Sequence, residues 1–246
     1  MSHDLIHRIG GEDDTNRNTT QRILLLLESA AIGRTEAYER VLRNVIRRYV
    51  YEDYGLVHSA GPYNVPRFLQ NDIARYWRTV AVDFAYKQRQ RAEKGWALRT
   101  VKLRISRKLT YVSGLLMCFS CETEDTKPLP EKGRDNALDL HPIVEHLWKY
   151  SQRTPLEILA NVLLGHERLN AVAKKLLDTY NEFLAQLDNP DTRECLQNLE
   201  RDQVATDPRY EYMRELSHTF QDALSQLFLE ENGTKLWELT KVYGVF

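Results

Sequence analysis

The chain reads as an all-α protein: a helical bundle built on two long antiparallel helices with further helices packed on them. Three observations predict this. Apolar residues recur at i, i+3, i+4 and i+7 along most of the 246 residues. Glycine and proline are sparse for this length, at eleven and eight, which favours long helices. No segment alternates apolar and polar residues in the manner of a strand.

The helices can be justified in order. Residues 1–18, MSHDLIHRIGGEDDTNRN, are polar and form an N-terminal arm. Thr19 or Thr20 is the expected cap of a helix through RILLLLESAA, which Gly33 ends. A second helix follows, TEAYERVLRNVIRRYVYEDY, with Tyr38, Val41, Leu42, Val45, Ile46 and Tyr49 on its apolar stripe. Arg40, Arg43, Arg47 and Arg48 lie largely opposite, a basic face that is either solvated or a surface for RNA or an acidic partner. GLVHSAGPYNVP is a loop by its Gly and Pro content, and His58, Tyr63 and Asn64 in it are candidate ligand contacts.

Residues 66–119 carry the two long helices, broken at Lys94-Gly95. Pro66 suits a first helical turn. Leu69, Ile73, Val80 and Phe84 form one stripe, with Tyr76 and Trp77 beside it. Leu98, Val101, Ile105, Leu109, Val112, Leu116 and Phe119 form the other. Residues 120–138 are polar and read as a linker. The region 139–246 is helical again. Its stops and starts are Thr154-Pro155, Asn189-Pro190, Asp207-Pro208 and Gly233.

Composition sets limits on function. Formal net charge is −1, so any recruitment of nucleic acid needs a local basic patch. Cys118 and Cys121 make a C-x-x-C, but no second pair follows at zinc-site spacing, so reduced thiols at a helix end are expected. His3 and His7 stand at i, i+4 but run straight into Gly10-Gly11. No apolar run approaches bilayer length and no leader follows Met1, so the expected setting is soluble and cytoplasmic, with no membrane partner.

The informative polar residues border the two long stripes. Asp72, Thr79 and Asp83 fall on one line along the first helix, at the edge of its core face. Lys102 borders the second stripe, with Arg99 and Ser106 just outside it, whereas Arg104 and Arg107 point away. Charges at the rim of a core must find partners or lose solvation at a cost of several kcal/mol. The expectation is therefore that Asp83 or Asp72 meets Lys102 or Arg99. An interhelical ion-pair seam satisfies this. So does a polar cleft for an anion, in which Lys102, Arg99 and Ser106 are suited to a phosphate.

The run FLQNDIARYWRT-VDF, then GWALRTVKLRISRKL and a small apolar segment, resembles the helical region after the catalytic domain in a family of bacterial nucleotidyltransferases of the DNA polymerase β-like superfamily. RILLLLES at 22–29 and LWELTKVYGVF at 236–246 resemble flanking segments of that family, so the resemblance covers most of the chain. It implies binding of an NTP, ATP foremost, with Mg²⁺, and transfer to an RNA, protein or small-molecule acceptor. On it, residues 19–119 are the nucleotide- or substrate-binding region. Lys102 and Ser106 help hold the triphosphate, Arg75, Arg78, Arg99 and Arg107 support it or bind the acceptor, and Asp72 and Asp83 orient the basic groups.

That superfamily's chemistry uses a Gly-Ser turn and a carboxylate pair that holds two metal ions. This sequence has neither; Glu12-Asp13-Asp14 lies in a polar stretch with nothing to make a strand. The carboxylates would then come from a separate catalytic domain or chain. The alternative is a non-catalytic helical module that binds a partner protein. A third reading, a helical ribonuclease of the HEPN type, rests only on Arg134 and His141 at a loose R-x(4–6)-H spacing.

Overall fold

A computed structural model describes residues 9–10, 14–53, 56, 63–90, 95–124, 142–164, 167–200, 203–204, 206–231 and 233–244. His3, His7, His58, Arg134 and His141 lie outside the described residues. The described chain is all-α. Its helices are α1 (Asn16–Leu27), α2 (Thr35–Tyr51), α3 (Arg67–Gln90), α4 (Trp96–Lys102), a π turn (Leu103–Arg107) and α5 (Lys108–Thr123). There follow α6 (Pro142–Ser151), α7 (Pro155–Leu164), a short 3₁₀ turn (Glu167–Leu169), α8 (Asn170–Asp188), α9 (Pro190–Asn198), α10 (Pro208–Ser225), a second π turn (Gln226–Glu230) and α11 (Lys235–Tyr243). Among the described residues no helix is long and apolar enough to cross a membrane.

Several boundaries follow the chemistry of the sequence. Thr154 and Glu157 form a reciprocal capping box at the start of α7, with bonds of 2.6 and 3.3 Å. Asn189 ends α8 and at once caps α9, accepting from the amides of Asp191 and Thr192. Asp207 caps α10 through the Tyr210 amide at 2.8 Å. Other boundaries differ from expectation. The cap of α1 is Thr15, which accepts from the Asn18 amide, and not Thr19 or Thr20; Thr19 is buried inside the helix. The helix after Gly95 runs on to Thr123, so Ser120 and Cys121 are buried helix residues and not the start of a linker.

The chain forms two compact units that do not follow sequence order. The first is Met1–Tyr76 with Thr110–Leu159, the second Trp77–Leu109 with Ala160–Phe246. In the first unit, Gly114 is where backbones come close. A Cβ there would lie 3.0 Å from the Ile73 side chain and 3.1 Å from that of Leu27, so a bare backbone lets α5 cross α3 and α1. Asp53, fully buried, joins the end of α2 to the start of α3. It accepts from the Leu56 and Arg67 amides at 3.2 and 2.9 Å and from the Arg67 guanidinium at 3.0 Å. The basic face of α2 is partly matched: Arg43 pairs with Glu145 of α6 and stacks 4.3 Å from the Trp148 ring, and Arg48 pairs with Glu52.

In the second unit α8 packs along α10, with Tyr180 set between Phe183 and Phe220. α4 starts at Gly95, whose left-handed φ of 67° suits glycine and whose amide donates to the Gln197 carbonyl at 3.0 Å. Trp96 then packs on Tyr210 with ring centroids 5.5 Å apart. All seven apolar residues from Leu98 to Phe119 are buried as the periodicity predicts. The other predicted stripe is buried only at Leu69 and Ile73, because Val80 and Phe84 are half-exposed.

Candidate functional site

Among the described residues, three polar clusters could carry chemistry, and the sequence points to one of them. The first is a buried hub in the first unit. Arg22, 1 % exposed, forks onto Asp14 with bonds of 2.8 and 2.7 Å and reaches Asp72 at 2.9 Å. Its Nε donates to the Tyr49 hydroxyl at 3.0 Å, and that hydroxyl donates to Asp72 at 2.6 Å. Arg75 closes the outer side, donating to the Asp14 carbonyl at 2.6 Å and to Asn16 Oδ1 at 2.8 Å. Burial alone would raise the Asp14 carboxyl. The Arg22 fork, the Gly10 amide at 2.9 Å and Arg75 more than offset it and hold the group below the ordinary carboxylate value. Asp14, Tyr49 and Asp72 raise Arg22 against its burial, while burial and the Asp72 charge raise the Tyr49 hydroxyl. Every charge in this cluster has an opposite charge in contact, so it binds the fold together and presents nothing to a ligand.

The second cluster joins α5 to α6. His146 Nε2 lies 2.7 Å from Ser120 Oγ, and Nδ1 lies 3.8 Å from Glu124, which also takes the Tyr150 hydroxyl. The arrangement superficially suggests a nucleophile, base and acid. However, Ser120 is 1 % exposed and donates its proton to the Met117 carbonyl at 2.8 Å. It is a tether between helices. Burial, with help from Lys149 and Arg153, keeps the His146 pKa below its ordinary value. Cys118 and Cys121 lie nearby along α5, fully buried, and burial raises both thiols above the ordinary range, away from the reactive thiolate.

The third cluster is the segment 77–109 of the second unit, which holds ten Lys or Arg against two carboxylates, Asp83 and Glu93. Asp83 is exposed and pairs with Lys87 one turn on, at 2.5 Å. Among the described residues, Arg78, Arg99, Lys102 and Arg104 take part in no ion pair, and Arg99 Nη2 is buried without a hydrogen-bond partner. Lys102 and Ser106 are half-buried, whereas Arg78, Arg104 and Arg107 are exposed. Lys108 is drawn 6.0 Å from the Trp77 ring centroid and bonds Gln221. Its burial, and then the Arg104 charge, push its pKa down. Ser106 sits within the π turn, which adds a residue to the helix between Lys102 and Lys108; such turns are common at functional sites.

The predicted site residues therefore separate. Arg99, Lys102, Ser106, Arg107, Arg78 and Asp83 belong to the second unit. Asp72 and Arg75 are taken into the buried hub of the first. The expected meeting of Asp72 or Asp83 with Lys102 or Arg99 is replaced by Asp72 with Arg22 and Asp83 with Lys87. The reason is local: Asp83 stands on a solvated stretch of α3 where the nearest cation is one turn away, while Asp72 faces the inner surface of α1. The backbone N–H of Asn64, a candidate contact, donates to Glu122 at 2.9 Å. Sequence reasoning missed Arg22 and Asp14. The signal available was an arginine abutting the five-residue apolar run Ile23–Leu27, eight residues after the end of an acidic triplet. Set against protein families, curated proteins and solved structures, the chain matches none of them.

Proposed function

We propose that this chain is the anion-holding helical part of a nucleotidyltransferase of the polymerase β-like kind, binding a nucleoside triphosphate with its Mg²⁺. The observation that carries the reading is that Arg78, Arg99, Lys102 and Arg104 take part in no ion pair among the described residues, and that one guanidinium nitrogen of Arg99 is buried without a hydrogen-bond partner. A buried cationic donor without an acceptor costs free energy that a phosphate oxygen would return. Lys102 and Arg99 supply charge, Ser106 a hydroxyl, and Arg78 and Arg107 flank them. On the resemblance, the Mg²⁺ would be held by the phosphates and by carboxylates of a separate catalytic domain or chain. The lack of a Gly-Ser turn and a carboxylate pair in the sequence supports a second reading, a non-catalytic module that docks on such a partner.

The test is a thermal-shift titration with ATP, GTP, CTP and UTP, with and without Mg²⁺. Binding at a hundredfold excess over Kd adds about 2.7 kcal/mol of stability. The expected result is a nucleotide-dependent rise that Lys102→Met and Arg99→Met each reduce. A rise unchanged in both variants, or none with any nucleotide, would overturn the assignment of these residues.

A further inference from the structure

We infer that the surface around the Trp77–Lys108 contact binds a single-stranded nucleic acid. Its role as the acceptor strand rests on the nucleotide-binding reading above. The contact at 6.0 Å brings α3 beside the segment that leads into α5. Three exposed guanidinium groups lie within one turn of it along their own helices: Arg78 next to Trp77, and Arg104 and Arg107 before Lys108. Guanidinium forks match phosphate oxygens, and a row of like charges with few carboxylates suits a ligand that carries a charge at each repeat. Further along α3, Arg78, Val82 and Tyr86 follow at i, i+4 and i+8 on one outer face, a span of about 12 Å. Val82 is 69 % and Tyr86 58 % exposed. An exposed aromatic ring on the same outer face as Arg78 offers a base the stacking surface that single-strand binders use. A duplex, whose bases are already stacked, makes no use of that ring. An acidic protein could use the charges, and competition separates the two.

The experiment is fluorescence anisotropy of the full chain with labelled RNA and DNA oligonucleotides of about 15 nucleotides, within single-strand site sizes. The variants are Arg78→Glu with Arg104→Glu, and Tyr86→Ala, all at exposed positions, with circular dichroism to verify the fold. If about four phosphates are neutralised, affinity should fall roughly 50-fold between about 50 and 200 mM salt. The charge reversals should weaken binding at least about tenfold, and Tyr86→Ala by about fivefold or more, the lower end of stacking contributions. Equal affinity for duplex, displacement by polyglutamate as effective as by unlabelled oligonucleotide, or no effect of the charge reversals would each overturn the inference. The nucleotide reading is scored separately: a thermal shift with ATP and no oligonucleotide binding sinks only this inference. Oligonucleotide binding without a shift from any nucleotide keeps the surface and removes its role as acceptor site.

Discussion

Arg22 and Arg99 carry the same side chain into opposite surroundings. Arg22 is wholly buried, yet two carboxylates, a phenol and a neighbouring guanidinium close a circuit around it. Arg99 is half-buried, one of its nitrogens faces no acceptor, and the segment around it holds cations in large excess over carboxylates. The first arrangement satisfies itself, so it holds α1, α2 and α3 in register and needs nothing from outside. The second keeps its positive charge unmatched within the described residues, which is what a site for an anionic ligand requires. Burial alone would have ranked Arg22 as the functional arginine, whereas the state of its partners assigns it to the fold.

The widest separation between the two regions should come from removing each arginine. Arg22→Met leaves Asp14 and Asp72 facing each other in the interior and is expected to cost about 3–5 kcal/mol in urea denaturation. Arg99→Met removes a charge with no carboxylate partner and should change stability by less than about 1 kcal/mol in either direction. Equal losses in the two variants would break the comparison. A finer cut uses Tyr49→Phe, which deletes one hydroxyl that both donates to Asp72 and accepts from Arg22. The expected loss is about 1–3 kcal/mol, since Asp72 keeps only part of its bonding. A loss near zero would mean that the phenol is a bystander in the circuit.

The smallest effect is on pH dependence. His146 is held neutral by burial, so its folded pKa lies below the unfolded value of about 6.5. Its contribution to stability is complete above about pH 6.5 and is lost as pH falls towards the folded value. Asp14, also depressed, contributes fully above about pH 4 and loses that contribution as pH falls through its folded pKa. Melting temperatures followed from pH 8 downward should therefore decline in two steps. His146→Gln should remove the upper step and Asp14→Asn the lower one. A single step that neither variant moves would show that other groups control the acid response.

Much of the fold was legible because its determinants are local. Thr154-Pro155, Asn189-Pro190 and Asp207-Pro208 act within four residues, and each does what its spacing implies. The buried hub was not legible, because it is written in partners that lie far apart. Asp14 in a polar stretch looks solvated until Arg22 reaches it, and Arg22 looks like the flank of an apolar helix until Tyr49 and Asp72 close on it. The candidate site was legible as residue types close in sequence, Lys102, Ser106 and Arg99, but not in its expected support, since Asp72 and Arg75 answer to α1 instead. The π turn left only a faint trace: Val101, Ile105 and Leu109 advance by four residues twice in succession.

The span of the hub also bears on the order in which the chain can fold. Arg22 emerges from synthesis 50 residues before Asp72. During that interval α1 can form its turns and Arg22 can already pair with Asp14, but its bond to Asp72 has no partner. The apolar run that follows Arg22 has no α3 to pack on until Asp72 and its neighbours have been made. The first unit is complete only later still, when Thr110 and the residues after it return from the excursion through 77–109. A polypeptide cut before that return carries an unfinished interior, so nascent fragments of this chain should depend on chaperones far more than the finished chain does.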